Sequence, residues 1–465
     1  MHQSKTHRLR CVSPVDGSVF AERPMLDIQQ AETAIAAARQ AQKQWAQRPV
    51  SERIEHVRAG VKRLGEMNDE MVPELAWMMG RPIRYGGEVG GINERSGHMA
   101  DIAEEALAPI VVEDSGAFER CIRREPHGVV FVMAPWNYPY LTAINSVVPA
   151  LIAGNAVVLK HATQTLLAGE RMVLAFAQAG MPDNLFINLF LDHETTEKLI
   201  AAGRFDFINF TGSVGGGRRI ERAAAGTFTG VGLELGGKDP GYVMADADLD
   251  AAVETLVDAA MFNSGQCCCG IERIYVIASL YDAFVDKAAA IVSDYKLGNP
   301  FDRTTTLGPM AHHRFAAEVR TQVAEALAAG AQAVIDPALF PEDDGGAYLA
   351  PQILTQVTHR MRVMRDETFG PVVGIVKVES DREAVALMND SNFGLTASLW
   401  TSDPVRAAAI GARIETGTVF MNRADYLDPA LCWTGCKETG RGGSLSVIGY
   451  HNLTRPKSYH LKKLK

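Results

Sequence analysis

Three cysteines in succession, Cys267, Cys268 and Cys269, are the residues of this chain best suited to nucleophilic chemistry. They lie in the segment Asn-Ser-Gly-Gln-Cys-Cys-Cys-Gly of residues 263–270, whose glycines allow the backbone to turn sharply. An exposed thiolate with a lowered pKa is a strong nucleophile. The alternative is that these cysteines are small buried hydrophobic residues. A metal site is disfavoured, because adjacent cysteines are not expected to converge on one ion as a C-x-x-C pair does.

A carboxylate and an amide each follow an apolar run. Glu234 lies at the end of the run at residues 230–235, before two glycines, and Asn137 lies in the segment Ala-Pro-Trp-Asn-Tyr-Pro of residues 134–139. A partly buried glutamate has a raised pKa and can serve as a general base. An asparagine amide can donate to a developing oxyanion. The plainer interpretations are an exposed glutamate at a turn and an Asx-type turn.

Two further loops are candidates for contacts with a phosphate or a ribose. Residues 209–217 read Asn-Phe-Thr-Gly-Ser-Val-Gly-Gly-Gly and lead from a predicted strand into a predicted helix, whose first N–H groups favour phosphate. The pattern is neither G-x-G-x-x-G nor a Walker A motif, and it also fits a plain strand-to-helix turn. In residues 366–371, Asp-Glu-Thr-Phe-Gly-Pro, the carboxylate of Glu367 can accept hydrogen bonds from ribose hydroxyls.

The apolar pattern supplies the elements that position these residues. Short apolar runs alternate with helical patterns at residues 128–134, 155–160, 205–210, 230–235, 273–277, 372–378, 396–400 and 417–421. Continuous apolar strands alternating with helices predict an α/β fold with parallel sheets covered on both faces. We expect two α/β layers joined near residues 235–240. We also expect a loop around the glycines of residues 86–91, a strand at 330–335 and an extended basic tail at 450–465.

Composition and charge narrow the function. Asp plus Glu is 55 and Lys plus Arg is 46, and the net charge of −9 argues against a nucleic acid partner. No apolar run approaches the roughly 20 residues of a membrane span, and residues 1–12 carry no signal-like apolar core. Seven cysteines, three of them adjacent, do not form a disulfide framework. We therefore expect a reducing, cytoplasmic setting and no membrane partner.

Together and in this order, the five motifs resemble those of the aldehyde dehydrogenase superfamily, and the resemblance covers nearly the whole chain. It implies an α/β fold with two Rossmann-like domains and a β-arm for oligomerisation. The implied ranges are residues 1–109 and 128–236 for the cofactor-binding domain, 237–438 for the catalytic domain, and 110–127 and 439–465 for the arm. The implied protein partner is a second copy of the chain, in a homodimer or homotetramer.

The resemblance also assigns roles to single residues. Cys268 is the implied nucleophile, Glu234 the general base, and Asn137 the oxyanion amide, which works with the backbone N–H of Cys268. The 34-residue separation between Glu234 and Cys268 favours Cys268 over its two neighbours. No metal is implied. The implied cofactor contacts are Trp136, Lys160, Thr163, Gly212, Ser213, Leu235, Glu367 and Phe369.

One departure from the family pattern concerns the cofactor. Members that prefer NAD often carry an acid three residues after Lys160, where this chain has Thr163. A carboxylate there would accept the ribose 2′-hydroxyl and repel a 2′-phosphate, and threonine does neither strongly. The expected cofactor is therefore NAD or NADP.

Further departures concern the substrate tunnel, whose implied lining is Tyr138, Leu141, Asn145, Phe262, Leu427 and Trp433, with Trp433 at the mouth. In relatives that oxidise succinate semialdehyde, arginines occupy the positions of Asn145 and Phe262. Their absence disfavours a dicarboxylate semialdehyde, although Arg423 can still supply a charge. The largely apolar lining predicts a neutral aliphatic or aromatic aldehyde.

The implied activity is NAD(P)-dependent oxidation of an aldehyde to a carboxylic acid, through a thiohemiacetal and a thioester on Cys268. Two alternatives are a relative that transfers the acyl group to coenzyme A and a catalytically silent binding or structural member. Glu234 favours hydrolysis of the thioester over acyl transfer. The silent member is disfavoured because Cys268, Glu234 and Asn137 are all present.

Overall fold

An N-terminal hairpin and five helices open the fold in the computed structural model, which describes residues 8–464. Residues 1–7 of the predicted cofactor-binding domain and residue 465 of the predicted arm lie outside the described residues. The elements are β1 (Arg8–Val12), β2 (Val19–Pro24), α1 (Ile28–Trp45), α2 (Val50–Gly65), α3 (Asn68–Met79), α4 (Val89–Asp101) and α5 (Ala103–Ala106).

The start of α4 differs from the prediction. Gly90 and Gly91 lie inside this helix, so the expected loop across residues 86–91 is wrong in its second half. A β-carbon on Gly91 would lie 2.6 Å from the side chain of Leu141. The close packing of α4 against its neighbour thus outweighs the low helix propensity of glycine.

A parallel sheet forms the first α/β layer. Its strand order is β9-β8-β5-β6-β7, and β5 and β6 are buried along their whole length. Burial on both faces explains their continuous apolar runs. The hairpin strands β3 (Ile110–Asp114) and β4 (Phe118–Pro126) come first in this part of the chain. The elements that follow them are β5 (Val129–Ala134), α6 (Pro139–Ile152), β6 (Ala156–His161), α7 (Leu166–Gln178), β7 (Phe186–Asn188), α8 (His193–Ala201), β8 (Phe207–Thr211), α9 (Val214–Ala224) and β9 (Gly230–Glu234).

A seven-stranded sheet forms the second layer, in the order β12-β13-β14-β11-β10-β16-β17. All pairs in it are parallel except the edge pair of β12 and β13. The predicted strand at 330–335 shortens to the exposed edge strand β12. The elements are β10 (Asp239–Val243), α10 (Leu249–Met261), β11 (Ile271–Ile277), α11 (Tyr281–Ser293), α12 (His313–Ala328), β12 (Gln332–Ala333), β13 (Gln352–Thr355), β14 (Val372–Val378), α13 (Asp381–Asn389), β15 (Phe393–Gly394), β16 (Thr396–Trp400), α14 (Pro404–Gly411) and β17 (Thr418–Met421).

The C-terminal segment returns to the first layer before it forms the arm. Its elements are β18 (Cys436–Lys437), β19 (Gly440–Arg441), α15 (Ser446–Asn452) and β20 (Thr454–Lys462). β18 pairs with β15, and β19 pairs with β9 and becomes the sixth strand of the first sheet. β20 pairs with β4, which pairs with β3, so these three strands form a separate antiparallel sheet.

The predicted start of the arm's second segment, at residue 439, is therefore wrong. Residues 439–453 pack on the first layer, where Tyr450 is fully buried and its hydroxyl donates to the carbonyl of Met99 at 2.6 Å. The burial of this side chain holds α15 against the domain, so the tail is helical before it becomes extended.

The parallel strands bring the predicted site residues to one edge. The segments after β5, β6, β8 and β9 leave the sheet at the same side, because parallel strands end at the same edge. The crossing between the two sheets, from Glu234 to Asp239, also lies there, as predicted. None of the helices described between residues 8 and 464 is long and apolar enough to cross a membrane. Single-turn helices lie at Ile83–Tyr85, Thr163–Thr165, Phe262–Gly265, Pro337–Leu339 and Arg362–Met364.

Candidate active site

The three adjacent thiols lie in a tight turn just after α10. Asn263 and Ser264 have left-handed backbone angles, with φ of 54° and 56°, which redirects the chain after the helix. The three sulfur atoms lie within 4.8 Å of one another, and Cys267 Sγ is 3.5 Å from Cys269 Sγ. The expectation that adjacent cysteines cannot converge is thus wrong in its geometry, because this turn brings all three sulfurs together.

Of the three thiols, Cys268 most favours the thiolate. Hydrogen bonding from Cys267 and Cys269 lowers the pKa of Cys268, although its burial acts in the opposite direction. The same interaction raises the pKa of Cys267 to about 12 and that of Cys269 well above its usual value. Cys268 is also partly exposed, whereas its neighbours are buried. Exposure and acidity therefore coincide at the middle cysteine.

Asp425 supports the two outer thiols, and the sequence motifs do not identify it. Its Oδ1 accepts hydrogen bonds from Cys267 Sγ at 3.1 Å and from Cys269 Sγ at 3.0 Å. Burial raises the pKa of this carboxyl well above its usual range. Asp425 is a single acid in an irregular loop, far from the thiols along the chain, so no spacing pattern pointed to it.

A buried ion pair fixes the loop that carries Asn137. Arg81 and Glu88 lie 2.7 Å apart and are almost completely buried. Arg81 donates to the carbonyl of Asn137 at 2.5 Å, and the carboxylate of Glu88 accepts the backbone N–H groups of Tyr140 and Leu141 at 2.9 and 2.7 Å. This pair precedes the motif by about fifty residues and was not predicted.

The loop is also attached to the thiol turn. The side-chain nitrogen Nδ2 of Asn137 donates to the carbonyl of Gln266 at 3.2 Å, directly before the cysteines. Asn263 donates to the same carbonyl and to the carbonyl of Asn137. The predicted amide and the predicted nucleophile are therefore held in one hydrogen-bond network.

Glu234 ends β9 and lines a small cavity rather than an exposed turn. The cavity measures about 90 Å³ and also has Asn145, Asn209 and Ser444 in its lining. Burial raises the pKa of Glu234, while the hydroxyls of Ser444 and Thr211 and the charge of Arg95 oppose the rise. Thr211 Oγ1 donates to its carboxylate at 3.2 Å. A carboxyl with a raised pKa can serve as a general base.

Aromatic side chains form one side of the predicted cofactor groove. The rings of Trp136 and Phe315 stack with centroids 5.2 Å apart, and Phe369 meets Trp136 edge-on at 5.5 Å. Phe369 has a left-handed φ of 50°, and its N–H donates to Glu272 at 2.8 Å. The two predicted residues, Trp136 and Phe369, are thus brought together, and Phe315 and Glu272 are additions that the motifs did not reveal.

Glu367 lies over the glycines that follow Glu234. A β-carbon on Gly236 would lie 2.3 Å from either carboxylate oxygen of Glu367, and the N–H of Gly237 donates to this carboxylate at 3.2 Å. Burial raises the pKa of Glu367 to about 8. The absence of a side chain at Gly236 permits the contact between these two distant motifs.

Lys160 and Thr163 follow one another at the end of β6. Lys160 is buried, and burial lowers its pKa to about 8 although the charge of Asp192 opposes this. Within residues 8–464, its ammonium has neither a carboxylate within 4 Å nor a hydrogen bond. Thr163 begins the single-turn helix after the strand and is partly exposed. The ammonium is therefore free to meet a bound group.

The glycine-rich loop follows β8 and begins α9. Ser213 caps this helix, since its Oγ accepts the N–H of Gly216 at 3.2 Å. The N–H of Gly212 donates to the carbonyl of Glu234 at 3.0 Å. The side chain of Leu235 is buried against Gly217, where a β-carbon would lie 2.7 Å from it. The loop thus joins β8 and β9 at the edge where Glu234 lies.

The predicted tunnel residues divide into groups. Tyr138, Leu141, Leu427 and Cys268 are partly buried, and each packs against the core of the first layer. Arg81 lies over the ring of Tyr138 at 4.9 Å. Phe262 instead meets Tyr85 edge-on at 4.8 Å. Trp433 is only 5% exposed and belongs to the core, so its predicted place at the mouth is wrong. Asn145 is buried and accepts a hydrogen bond from Arg95 at 3.3 Å.

Comparisons with known proteins agree with this architecture. The profile described as the aldehyde dehydrogenase family matches residues 1–459. Succinate-semialdehyde dehydrogenase (NADP(+)) of Deinococcus radiodurans is 33% identical over 450 residues, which cover 96% of this chain and 93% of that protein. Geranial dehydrogenase of Castellaniella defragrans is 32% identical over 461 residues, which cover 98% and 96%.

A solved structure gives the same result for the fold. The crystal structure of succinic semialdehyde dehydrogenase from Streptococcus pyogenes, in complex with NADP+, matches with a TM-score of 0.91 at 28% identity. The match covers 98% of this chain and 100% of that chain. The predicted α/β fold is confirmed, and the chain belongs to the aldehyde dehydrogenase family.

Proposed function

We propose that this aldehyde dehydrogenase oxidises an aldehyde to a carboxylic acid with NAD or NADP, using Cys268 as its nucleophile. The observation that carries the proposal is the acidity and partial exposure of Cys268 between two buried thiols. The relatives described above are named for aldehydes of different charge, one carboxylated and one apolar. Their names therefore leave the substrate class to the residues of this chain.

The first step forms a carbon–sulfur bond. The Cys268 thiolate attacks the aldehyde carbon, and the carbonyl oxygen becomes an oxyanion. Asn137 Nδ2 carries a second hydrogen besides the one given to Gln266, and this hydrogen and the N–H of Cys268 stabilise the oxyanion. One donor of this kind contributes about 3 kcal/mol to the transition state. The buried Arg81–Glu88 pair holds the amide in place for this task.

The residues of the groove fit a nicotinamide dinucleotide. The unpaired Lys160 ammonium and the Glu367 carboxylate suit the two riboses, and the cap of α9 at Ser213 offers N–H groups to a pyrophosphate. Trp136, Gly212, Leu235 and Phe369 complete this wall. The chemistry that such a cofactor supplies when bound is acceptance of the hydride that leaves the substrate carbon.

Glu234 acts on the thioester that remains on Cys268. As a base it takes a proton from water, and the resulting hydroxide attacks the acyl carbon and releases the acid and the thiolate. Burial raises the pKa of Glu234, which makes its carboxylate a stronger base, and the hydrogen bond from Thr211 opposes this rise. A glutamate in this position favours hydrolysis over transfer to coenzyme A. The complete set of Cys268, Glu234 and Asn137 disfavours a silent family member.

The arm sheet supports self-association into a homodimer or homotetramer. Strand β3 is an edge of this sheet, and its residues Ile110, Val111 and Val112 are 54–66% exposed. An apolar edge strand left open invites pairing with another chain. All seven cysteines are free, which supports a reducing, cytoplasmic setting.

Initial rates of cofactor reduction over a panel of aldehydes, with NAD and NADP in parallel and the product identified, test the proposed function. We expect reduction of one cofactor, formation of the acid without coenzyme A, and loss of activity in Cys268→Ala. Cys436→Ala removes a partly exposed thiol outside the cysteine turn. It is the matched control and should keep full activity. Activity that needs coenzyme A, or that survives in Cys268→Ala, would contradict the proposal.

A further inference from the structure

Arg95 on α4 is a buried cation that the reaction described above does not use. It is only 9% exposed. Of its three nitrogens only Nη1 donates within the described part of the chain, to the carbonyl of Leu141 and to Asn145 Oδ1, both at the long distance of 3.3 Å. Its Nε and Nη2 edge has no partner within residues 8–464, and no carboxylate lies within 4 Å of it there.

The other buried arginines of the described chain are better satisfied. Arg81 and Arg273 each donate from all three nitrogens, Arg81 to a carboxylate and Arg273 to backbone carbonyls and a tyrosine hydroxyl. Arg53 makes three bonds to carbonyls, two of them at 2.6–2.7 Å. A buried charge is costly unless it is paired and hydrogen-bonded. Arg95 is therefore the one whose geometry leaves room for an external anion.

The acids nearest to Arg95 are already engaged. Glu88 is bonded to Arg81 and to two backbone N–H groups. Glu94 accepts the hydroxyl of Tyr426. Neither of these carboxylates bonds to the free edge of the guanidinium, and Glu234, on which the charge of Arg95 acts, is not within 4 Å of it.

Arg95 interacts electrostatically with both predicted catalytic groups. Its charge opposes the rise in the pKa of Glu234, and the thiols of Cys268 and Cys269 favour its own charged form, although burial lowers its pKa. Its hydrogen-bond partner Asn145 lines the cavity that holds Glu234. Arg95 is thus linked both to the nucleophile and, through Asn145, to the cavity of the general base.

We propose that Arg95, together with Asn145, forms a subsite for a carboxylate on the aldehyde substrate. A planar guanidinium with two free N–H groups on one edge matches a carboxylate in a bidentate contact. The expectation of a neutral aldehyde rested on the absence of arginines at positions 145 and 262. Here the cation comes from α4 instead, beyond the predicted glycine loop of residues 86–91, and Asn145 supports it. This inference rests on the proposed function.

Paired substrates test the subsite. 4-Oxobutanoate and butanal have the same chain length and differ in the terminal carboxylate. We expect the wild type to have a higher kcat/KM for 4-oxobutanoate, and Arg95→Met to lower that value about 30-fold or more. The variant should change kcat/KM for butanal by less than about threefold. Arg95→Lys keeps the charge and should retain a clear preference for 4-oxobutanoate.

A binding measurement removes the dependence on turnover. Succinate, the acid product of 4-oxobutanoate, should raise the unfolding temperature of the wild type and not that of Arg95→Met. Arg58→Met is the matched control, because Arg58 on α2 is paired with Asp101 at the surface. It should leave both the succinate effect and the preference for 4-oxobutanoate unchanged. The unfolding temperature without ligand reports whether each variant is folded.

Several results would overturn the subsite. A wild type that oxidises butanal as well as 4-oxobutanoate would refute it while leaving the proposed function intact. Equal losses for both aldehydes in Arg95→Met would assign Arg95 a structural role, and equal losses with a shifted pH profile would make it a positioning residue for Glu234 or Cys268. A wild type that oxidises no aldehyde would instead refute the proposed function and the subsite with it.

Discussion

Two neighbouring regions of the molecule use an arginine and a glutamate in opposite ways. Arg81 and Glu88 are buried together and form an ion pair. Their remaining hydrogen bonds include those to backbone groups of the Asn137 loop. Glu234 lines the cavity, and Arg95 donates to Asn145, which also lines it. Within the described residues neither has a charged partner in contact, and each makes few hydrogen bonds. A saturated pair, whose charges are paired and hydrogen-bonded, holds the chain in position. An unsaturated charge, which lacks such partners, is available to substrate, water or a proton.

The largest expected effect comes from Glu234→Gln, which removes the unsaturated carboxylate but keeps its shape. Turnover should fall by about 10²–10⁴-fold, because thioester hydrolysis loses its base. Unfolding temperature should change little. Steady-state rates beside the exposed control Glu342→Gln check this. Full turnover in Glu234→Gln would contradict this role and would mean that Glu234, like Glu88, only holds the chain in position.

Breaking the saturated pair should give the reverse pattern. Arg81→Met leaves the Glu88 carboxylate buried without its partner, and we expect the free energy of unfolding to fall by about 3–5 kcal/mol. Denaturant titration measures this. The control is Arg58→Met, whose ion pair with Asp101 lies at the surface and should cost less than about 1 kcal/mol. A loss at Arg81 as small as the control would contradict its role.

Lys160, like Arg95 and Glu234, has no charged partner in contact within the described residues. Thr163→Glu should place a carboxylate near it. The added carboxylate should repel a 2′-phosphate and lower kcat/KM for NADP relative to NAD by about tenfold or more. Rates with both cofactors at one aldehyde concentration measure the ratio. Thr163→Gln adds the bulk without the charge and is the control. An unchanged ratio in Thr163→Glu would mean that the 2′ group does not bind near this position.

The smallest effect is expected when the hydrogen bond from Thr211 Oγ1 to the Glu234 carboxylate is removed. The Thr211 hydroxyl favours the ionised carboxylate and so lowers its pKa, against the larger effect of burial. In Thr211→Val the pKa of Glu234 should rise further. The acidic limb of the kcat profile should then move to higher pH, since the base must be deprotonated to act. The remote variant Thr229→Val should not move it, and a shift to lower pH would contradict this account.

The sequence was informative where chemistry follows a strand. The motifs that contain Asn137, Glu234 and the cysteines could be found because apolar runs precede them or glycines surround them, and parallel strands bring such ends together. The two layers and their junction followed from the same pattern.

The supporting residues could not be predicted because each is a single residue whose partner is distant in the chain. Asp425 meets the thiols only through the packing of the second layer, and Arg81 meets Asn137 only through the packing of the N-terminal helices. α4 was missed because its glycines indicate a loop, and only close packing against Leu141 explains them. The arm began too early in the prediction because the burial of Tyr450 is a tertiary effect.

The central claim is that Cys268 carries the acyl group and Glu234 removes it. The most direct test mixes Glu234→Gln with cofactor and an aldehyde that the wild type oxidises, and quenches the reaction in acid. Tandem mass spectrometry of the peptide that contains residues 267–269 then locates the added acyl mass. The account predicts one acyl group on Cys268, dependent on cofactor and absent in the Glu234→Gln, Cys268→Ala double variant. An acyl group on Cys267 or Cys269, or none while the wild type turns over, would contradict it.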